Sequence, residues 1–168
     1  MKEYKMEGIV KTSAIAAFLN TSPSKDAETW ARFRKQNELK IKYDAEVSEE
    51  KYIDEDGPTS EIENYKVSFD GEYTAYKNDP VFNYLDDLRQ SRATGTAAET
   101  DVLLVYVYDS EGSAYSAERS KASITITDFG GEGGGGKAYI NYTVNLNGNP
   151  ERGTCTIADG KPSFTKSA

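Results

Sequence analysis

Strict alternation of apolar and polar residues, from Leu39 to Val47, is the feature that most restricts the fold of this chain. A period of two residues is typical of a β-strand with one face toward a core. A second alternating stretch runs from Tyr65 to Asp70, and the turn signal Asp56-Gly57-Pro58 lies between the two. The pattern therefore predicts a half-buried strand and its partner, joined into a long hairpin whose tip projects.

The segment between these strands carries the whole net charge of the chain. Residues 44–63 contain nine carboxylates and one lysine, and all other residues balance at nineteen acids and nineteen bases, for a total of −8. The carboxylates are Asp44, Glu46, Glu49, Glu50, Asp54, Glu55, Asp56, Glu61 and Glu63. We predict a projecting acidic arm over residues 46–62. We expect this arm to dock on a partner or to set the electrostatic potential around the protein, and to repel nucleic acid.

Two other interpretations of the acidic segment stay open at this point. One is a solvated charged loop without a partner. The other is a calcium loop, because four residues match ligand or turn positions of the EF-hand spacing: Asp54, Asp56, Gly57 and Glu63. That spacing places Tyr52 first, where an oxygen donor such as Asp is needed, and the flanks alternate as strands. We therefore expect no metal site.

A positive strip immediately precedes the acidic arm. Residues 30–42 carry five bases and one acid, a net charge of +4. The bases are Arg32, Arg34, Lys35, Lys40 and Lys42. The strip is short and is followed by about twice its charge of opposite sign, which favours protein contact over nucleic acid. We predict that it is a docking patch for the arm, in the same or a neighbouring subunit.

One segment has helical periodicity. Asp79 is placed as an N-cap, Pro80 as the first helical residue, and the helix is predicted to end near Arg92. Its narrow apolar stripe predicts packing along a sheet through three residues: Val81, Leu85 and Leu88. The helix is predicted to pack on the sheet that contains residues 102–108, whose sequence VLLVYVY is apolar on both faces.

The rest of the chain is predicted to be mostly strands. They are placed at residues 115–127, 137–146 and 153–157 and near Phe164. Asn147-Gly148 and Asp159-Gly160 are predicted hairpin turns. Residues 28–36 are compatible with a helical turn or a strand, and we favour a strand or loop. The fold class is therefore mainly β, an antiparallel β-sandwich or open barrel with one flanking helix, in a single domain over residues 1–168.

Twelve tyrosines and one cysteine constrain the class of protein. Tyrosine packs through its ring and keeps a polar tip, so sheets rich in it serve as interfaces as well as core. We therefore expect self-assembly. Cys155 is a single cysteine, which excludes an internal disulfide, and the short apolar run at 14–19 is too brief for a signal sequence or membrane span. The chain is expected to be made and kept in a cytoplasm.

The sequence offers little to catalysis. It contains no histidine, which removes His-assisted nucleophiles and most zinc sites. Residues 131–137 match the GxxxxGK spacing, but Ala138 follows where a hydroxyl is needed, and a strand pattern follows where a helix is needed. Glycoside hydrolysis uses paired carboxylates, and Asp86-Asp87 or Asp54 and Asp56 are the candidate pairs. They lie on a predicted exposed helix and a loop tip, without the desolvated pocket that would separate their pKa values. We expect no enzyme activity and no cofactor.

The order of elements resembles the major tail tube proteins of long-tailed, siphovirus-type bacteriophages of low-GC Gram-positive hosts. The resemblance covers nearly the whole chain from about residue 39. It rests on YDAEVSEEKYIDEDGPTSEIENYKVSFDGEYTAYKNDPVFNYLDDLRQ, on the strand VLLVYVYD, and on SAERSKASITITDFGG followed by a Gly-rich turn and KAYINYTV.

This resemblance implies a structural protein of the virion, made and assembled in the host cytoplasm. Its subunits would close into rings of six that stack into a tube with an acidic lumen, and the arm would reach the adjacent ring. DNA would pass through without specific binding. The implied partners are further copies of the chain, a tape measure protein, a distal tail protein and a tail terminator, with no membrane involved.

Two rival classes are compatible with the same pattern. A monomeric carbohydrate-binding or surface-adhesion β-sandwich would show an exposed aromatic platform and stay monomeric at high concentration. A tail terminator or the inner tube subunit of a contractile tail would share the fold and differ in partners.

Overall fold

The computed structural model describes Tyr4, residues 7–54 and residues 56–167. Glu55 of the predicted arm lies outside the described residues. Short 3-10 turns lie at Thr12–Ala14 and Gly95–Ala98. The regular elements are β1 (Ile15–Asn20), β2 (Trp30–Arg32), β3 (Lys40–Glu50), β4 (Thr59–Thr74), α1 (Pro80–Ser91), β5 (Glu99–Glu111), β6 (Ala114–Gly130), β7 (Tyr139–Ala158) and β8 (Lys161–Lys166).

The strands form one connected antiparallel sheet in the order β2-β1-β5-β6-β7-β4-β3, and β8 pairs with the distal half of β7. The predicted fold class, an antiparallel β fold flanked by one helix, is confirmed. The short strand β2 lies within residues 28–36, where we favoured a strand or loop.

Strand β5 separates two hydrophobic clusters. Val102 and Leu104 belong to a large cluster with α1, β4 and the first half of β7, whereas Leu103 and Val105 belong to a smaller one with Cys155. Alternate residues of a strand point to opposite faces, so a strand that is apolar on both faces is covered on both sides. This explains the continuous apolar run and gives the molecule its sandwich character.

Helix α1 begins and ends as predicted. The Asp79 carboxylate accepts hydrogen bonds from the backbone N–H groups of Val81 and Phe82, at 3.0 and 3.1 Å, and Arg92 closes the helix in the left-handed conformation. The helix buries Val81, Leu85 and Leu88, which join the same cluster as Val102 and Leu104 of β5.

The segment after β2 crosses from one end of the sheet order to the other. Phe33 lies in the large cluster against the rings of Phe69 and Tyr142, with centroids 5.7 and 5.5 Å away. Gln36 then forms an isolated bridge to Tyr73 of β4. The crossing residues therefore connect the β2 end to the β4–β3 end and close the curved sheet over its core.

Two details differ from the sequence predictions. Asn147-Gly148 is not a hairpin turn: β7 is one continuous strand of twenty residues. Its pairing with β6 jumps from Asn147 opposite Lys121 to Glu151 opposite Arg119, so the intervening residues form a bulge. Gly148 has φ 67°, which a β-bulge uses to bend the strand while it stays paired. By contrast, Asp159-Gly160 is a tight turn, with φ 50° and 75°.

The second difference concerns β3. The alternation predicted a half-buried strand, but beyond Ile41 most of β3 is exposed on both faces. The reason is that β3 is the last strand in the sheet order, and that half of its partner β4 extends beyond the body and pairs only with β3.

Candidate functional site: the projecting hairpin

The β3–β4 hairpin leaves the body of the protein as a two-stranded ribbon. Strand β4 pairs with β7 only over residues 67–74, whereas its pairing with β3 continues out to Thr59. Residues 59–66 of β4 therefore have no strand on the side away from β3, and β3 has none on its outer edge, within the described part of the chain. The acidic arm is the distal part of this ribbon.

One face of the ribbon is apolar. Its rungs are Tyr43 opposite Val67, Ala45 opposite Tyr65, and Val47 opposite Ile62. Between Glu46 and Val47 the register shifts by one residue because Glu63 is the extra residue of a bulge. The bulge keeps Ile62 on the same face as Val47. We call this set of six residues the apolar face.

The apolar face is open to solvent, and burial decreases along it toward the tip. Phe69, on the rung below Tyr43, is fully buried, and Val67 is half-buried. Further out, Tyr43, Val47, Ile62 and Tyr65 have exposures of 57%, 53%, 55% and 51%. At the tip Ile53 is fully exposed. The hydrophobic core thus continues as an uncovered ladder on the projecting hairpin.

The opposite, polar face carries cross-strand ion pairs. Lys42 Nζ lies 2.6 Å from Asp70 Oδ1, and Lys66 pairs with Glu46. The Lys66 hydrogen bond lowers the pKa of the Glu46 carboxyl, and the Asp70 hydrogen bond raises the pKa of Lys42. These pairs are solvent-exposed and add little to stability. They nevertheless neutralise part of the acidic charge within the hairpin itself.

The register assigns the predicted arm carboxylates to different surroundings. Asp44, Glu46, Glu50 and Glu61 lie on the polar face by alternation. Glu49, opposite Ser60, lies on the same side as the apolar face at its distal end, and Glu63 occupies the bulge. Asp54 and Asp56 lie in the loop at the tip, where the Tyr52 hydroxyl donates a hydrogen bond to Glu50 Oε2 at 2.6 Å.

The five basic residues predicted as a docking patch lie on two strands and the segment between them. Arg32 belongs to β2, and Arg34 lies beside the β7–β8 turn, with a guanidinium nitrogen 3.0 Å from the position that a Cβ on Gly160 would take. The Lys35 ammonium lies 4.9 Å from the centre of the Tyr76 ring. Lys40 and Lys42 are part of β3 itself, at the root of the arm.

A tyrosine-lined groove of about 690 Å³ at the root of the arm was not predicted from the sequence. Its walls include Tyr43 and Tyr65 of the ribbon and Tyr106 and Tyr108 of β5. The Tyr106 hydroxyl donates to Glu118 Oε2 at 3.0 Å, and burial, together with this carboxylate, raises the Tyr106 pKa. No local signal marks this groove, since β3 and β5 meet there from distant parts of the sequence.

Three of the groove tyrosines, Tyr4, Tyr106 and Tyr108, are tilted relative to one another. Tyr106 and Tyr108 have ring centroids 5.9 Å apart and planes at 60°, and Tyr4 and Tyr108 are likewise 5.9 Å apart at 55°. Such edge-to-face packing is a common aromatic arrangement. These rings do not share one plane, as a flat platform for a sugar ring would require.

The two other motifs discussed from the sequence, the glycine-rich segment and the Asp86-Asp87 pair, lie in a loop and on a helix. The glycine-rich segment at 131–136 connects β6 to β7 and is followed by a strand. Asp86 accepts hydrogen bonds from Arg89 and Gln90 on its own helix. Among the described residues, no group of three or more acidic or cysteine side chains could hold a metal ion. In the same residues, no helix has the length and hydropathy needed to cross a membrane.

Comparison with solved structures finds the same fold in tail-like particles. A chain in the tail of an empty GTA particle, computed with helical refinement and C6 symmetry, matches with a TM-score of 0.59 and 12% identity, over 94% of this chain and 99% of that one. A chain in the six-fold symmetrised baseplate of the anti-feeding prophage matches with a TM-score of 0.52 and 14% identity, over 88% and 97%. No family model and no curated protein matches the sequence.

Proposed function

We propose that the protein is a structural subunit of a phage tail, the major subunit of its tube. Copies of the chain form rings of six that stack into a tube with an acidic lumen. In this proposal residues 1–168 are one tail-tube-like domain and the chain is not an enzyme. As the sequence resemblance implies, the phage is of the long-tailed siphovirus type with a Gram-positive host.

The observation that carries this proposal is the extent of the structural match. The similarity to the GTA tail chain covers nearly all of both chains, so the whole molecule, and not one shared motif, has a tail-protein fold. Both matching particles are six-fold symmetric. At 12% and 14% identity the match supports a shared fold only. The function is our inference from the fold and the surface together.

The surface of the hairpin supports the same proposal. Free strand edges on a long ribbon are sites at which another chain can pair. Contacts between different surfaces of identical subunits generate rings and filaments. A conduit for DNA needs a wall that does not retain phosphate, and exposed carboxylates such as Asp44 and Glu61 repel it. DNA then passes through without specific binding.

The proposal includes the partners and location implied by the resemblance. The chain assembles with copies of itself in the virion tail, after synthesis in the host cytoplasm. A tape measure protein, a distal tail protein and a tail terminator complete the tail. No membrane takes part.

Electron microscopy of the purified protein tests the proposal. We expect rings or tubes with a central channel at high protein concentration, and six-fold symmetry in end-on views. A protein that stays monomeric at high concentration and binds a glycan array would contradict the proposal and favour the carbohydrate-binding alternative. Analytical ultracentrifugation of the same preparation gives the mass of the assembled species.

A further inference from the structure

The apolar face of the hairpin is only partly covered in the single chain, where Tyr106 and Tyr108 line the same groove as its root. Tyr43, Val47, Ile62 and Tyr65 are each about half exposed, and they extend the ladder that begins at the buried Phe69. A polar residue at any of these positions would serve an ordinary solvated hairpin equally well. Four large apolar side chains on one side of a projecting ribbon indicate that this side is buried in the working state of the protein.

The size of the exposed patch is that of an interaction site. A tyrosine side chain buries about 150–250 Å² when fully covered. The half-exposed Tyr43, Tyr65, Val47 and Ile62 therefore offer on the order of 300 Å² of apolar surface, a size that often marks a functional patch. A stable interface buries about 800 Å² on each partner, so this patch would supply roughly a third of the area buried on one side.

The ribbon also needs support to keep its shape. An isolated two-stranded hairpin is at best marginally stable in water. Beyond Lys66 toward the tip, β3 and β4 pair only with each other in the part of the chain that is described. A surface that covers the apolar face would add the missing packing.

The charge of the hairpin restricts what this cover is. Nine carboxylates in residues 44–63 exclude nucleic acid and an anionic membrane surface, which both need Lys and Arg. The rest of the chain is electrically balanced. It carries Arg32 on β2, at the opposite end of the sheet order from β3, and Arg34 in the segment that crosses to β4. A second copy of the chain therefore offers both a surface that does not repel the arm and basic side chains such as Arg32 to pair with it.

We infer that the apolar face of the β3–β4 hairpin is the surface that a second copy of this chain covers on assembly. This inference rests on the proposed function and deepens it: the apolar rungs supply the binding energy, and the carboxylates set orientation. The polar face stays in contact with water. Asp44, Glu46, Glu50 and Glu61 are then the arm carboxylates left on the water-facing side, which is the lumen if the ribbon lines the tube.

The Val47–Ile62 rung provides the test. The double substitution Val47→Thr/Ile62→Thr keeps β-branched side chains with good strand propensity and removes apolar methyl groups from the contact. The polar face gives an uncharged control, Ser48→Thr/Asn64→Thr, because Ser48 and Asn64 lie on the other side of the ribbon and neither is a carboxylate. Circular dichroism and thermal melting of the dilute subunits check that both variants fold.

Assembly is measured by sedimentation velocity over a range of protein concentrations and by negative-stain microscopy. We expect the Val47→Thr/Ile62→Thr variant to need about tenfold or more protein to assemble, because two hydroxyl groups would be buried at the contact. The control should shift this concentration by less than about threefold. Equal assembly of the wild-type protein and the Val47→Thr/Ile62→Thr variant would overturn the inference, and so would equal impairment in the control.

The wild-type protein separates this inference from the proposed function. If it forms tubes and the Val47–Ile62 variant forms them equally well, the inference fails and the function stands. If it forms only small oligomers without a channel, and the Val47–Ile62 variant loses them, the inference stands and the tube function fails. A wild-type protein that is monomeric at all accessible concentrations contradicts both.

Discussion

At the scale of single residues, Asp79 connects the helix to the sheet. Its Oδ1 atom accepts the two N-cap hydrogen bonds and also one from the Tyr73 hydroxyl at 3.0 Å. The sequence predicts the cap, because Asp before Pro at a helix start is a local signal. It does not predict the Tyr73 contact, which depends on where β4 ends relative to α1. One carboxylate therefore fixes the first turn of the helix and the end of a core strand together.

Asp79→Ala should destabilise the protein by about 2–3 kcal/mol, more than the roughly 1 kcal/mol of an isolated N-cap. The excess arises because the buried Tyr73 hydroxyl loses its acceptor. Urea unfolding of Asp79→Ala, Tyr73→Phe and the double variant measures the coupling. Strictly additive effects would show that the Tyr73 hydrogen bond does not contribute.

At the scale of elements, the sequence predicts which segments form strands better than it predicts what covers them. The alternation in β3 gives the strand, its hairpin partner and which residues share a face. The alternation does not predict how far the apolar side chains of β3 are buried, because the same pattern occurs in strands that face a core and in strands that form an interface. In β7, Gly148 is compatible with a turn or a bulge, and the choice depends on β6 continuing to pair on the far side. The tyrosine groove is likewise set by long-range pairing.

Helix α1 should depend on its central apolar residue. Leu85 is fully buried in the large cluster, so Leu85→Ala should cost about 2–5 kcal/mol through lost burial and a cavity. The exposed Asp87 on the same helix gives the control, and Asp87→Ala should change stability by less than about 0.5 kcal/mol. An unchanged melting temperature for Leu85→Ala would mean that α1 does not pack as described.

Removal of the arm should separate folding from assembly. Replacing Glu49–Ser60 by Asn-Gly closes the hairpin at the Ser48–Glu61 rung with a two-residue turn. None of the described residues in the deleted segment belongs to either buried cluster, so the subunit should keep its melting temperature within a few degrees. Tube growth should be lost. Normal tubes from this variant would show that the acidic tip serves only solubility.

At the scale of the whole molecule, charge and hydrophobicity are separated in space. Outside residues 44–63 the chain is electrically balanced and contains both clusters, whereas residues 44–63 hold the net charge of −8 on the same ribbon as the exposed apolar face. In the proposed assembly, the apolar contact and the attraction between arm carboxylates and basic side chains would together have to outweigh the repulsion between arms of like charge.

Reversal of the arm charge tests the role of the carboxylates in the assembled state. Lysine at Glu49, Glu50, Asp54 and Asp56 brings the net charge to zero, since each replacement adds two positive charges. We expect either no tubes or tubes that retain DNA at low salt in a filter-binding assay. Lysine at four exposed acids outside the arm (Asp87, Glu99, Glu111 and Glu132) is the control of equal charge. Tubes that form normally and release DNA in both variants would contradict the prediction.

The continuity of β7 has a mechanical consequence. Its first half pairs with β4 and β6 beside the large cluster, and its second half pairs with β6 and β8 beside the small one. Neither half of the sandwich can come apart without loosening the strand that the other half holds. The molecule should therefore unfold in one cooperative step, and a pull along β7 would load many hydrogen bonds in shear at once instead of opening them one by one.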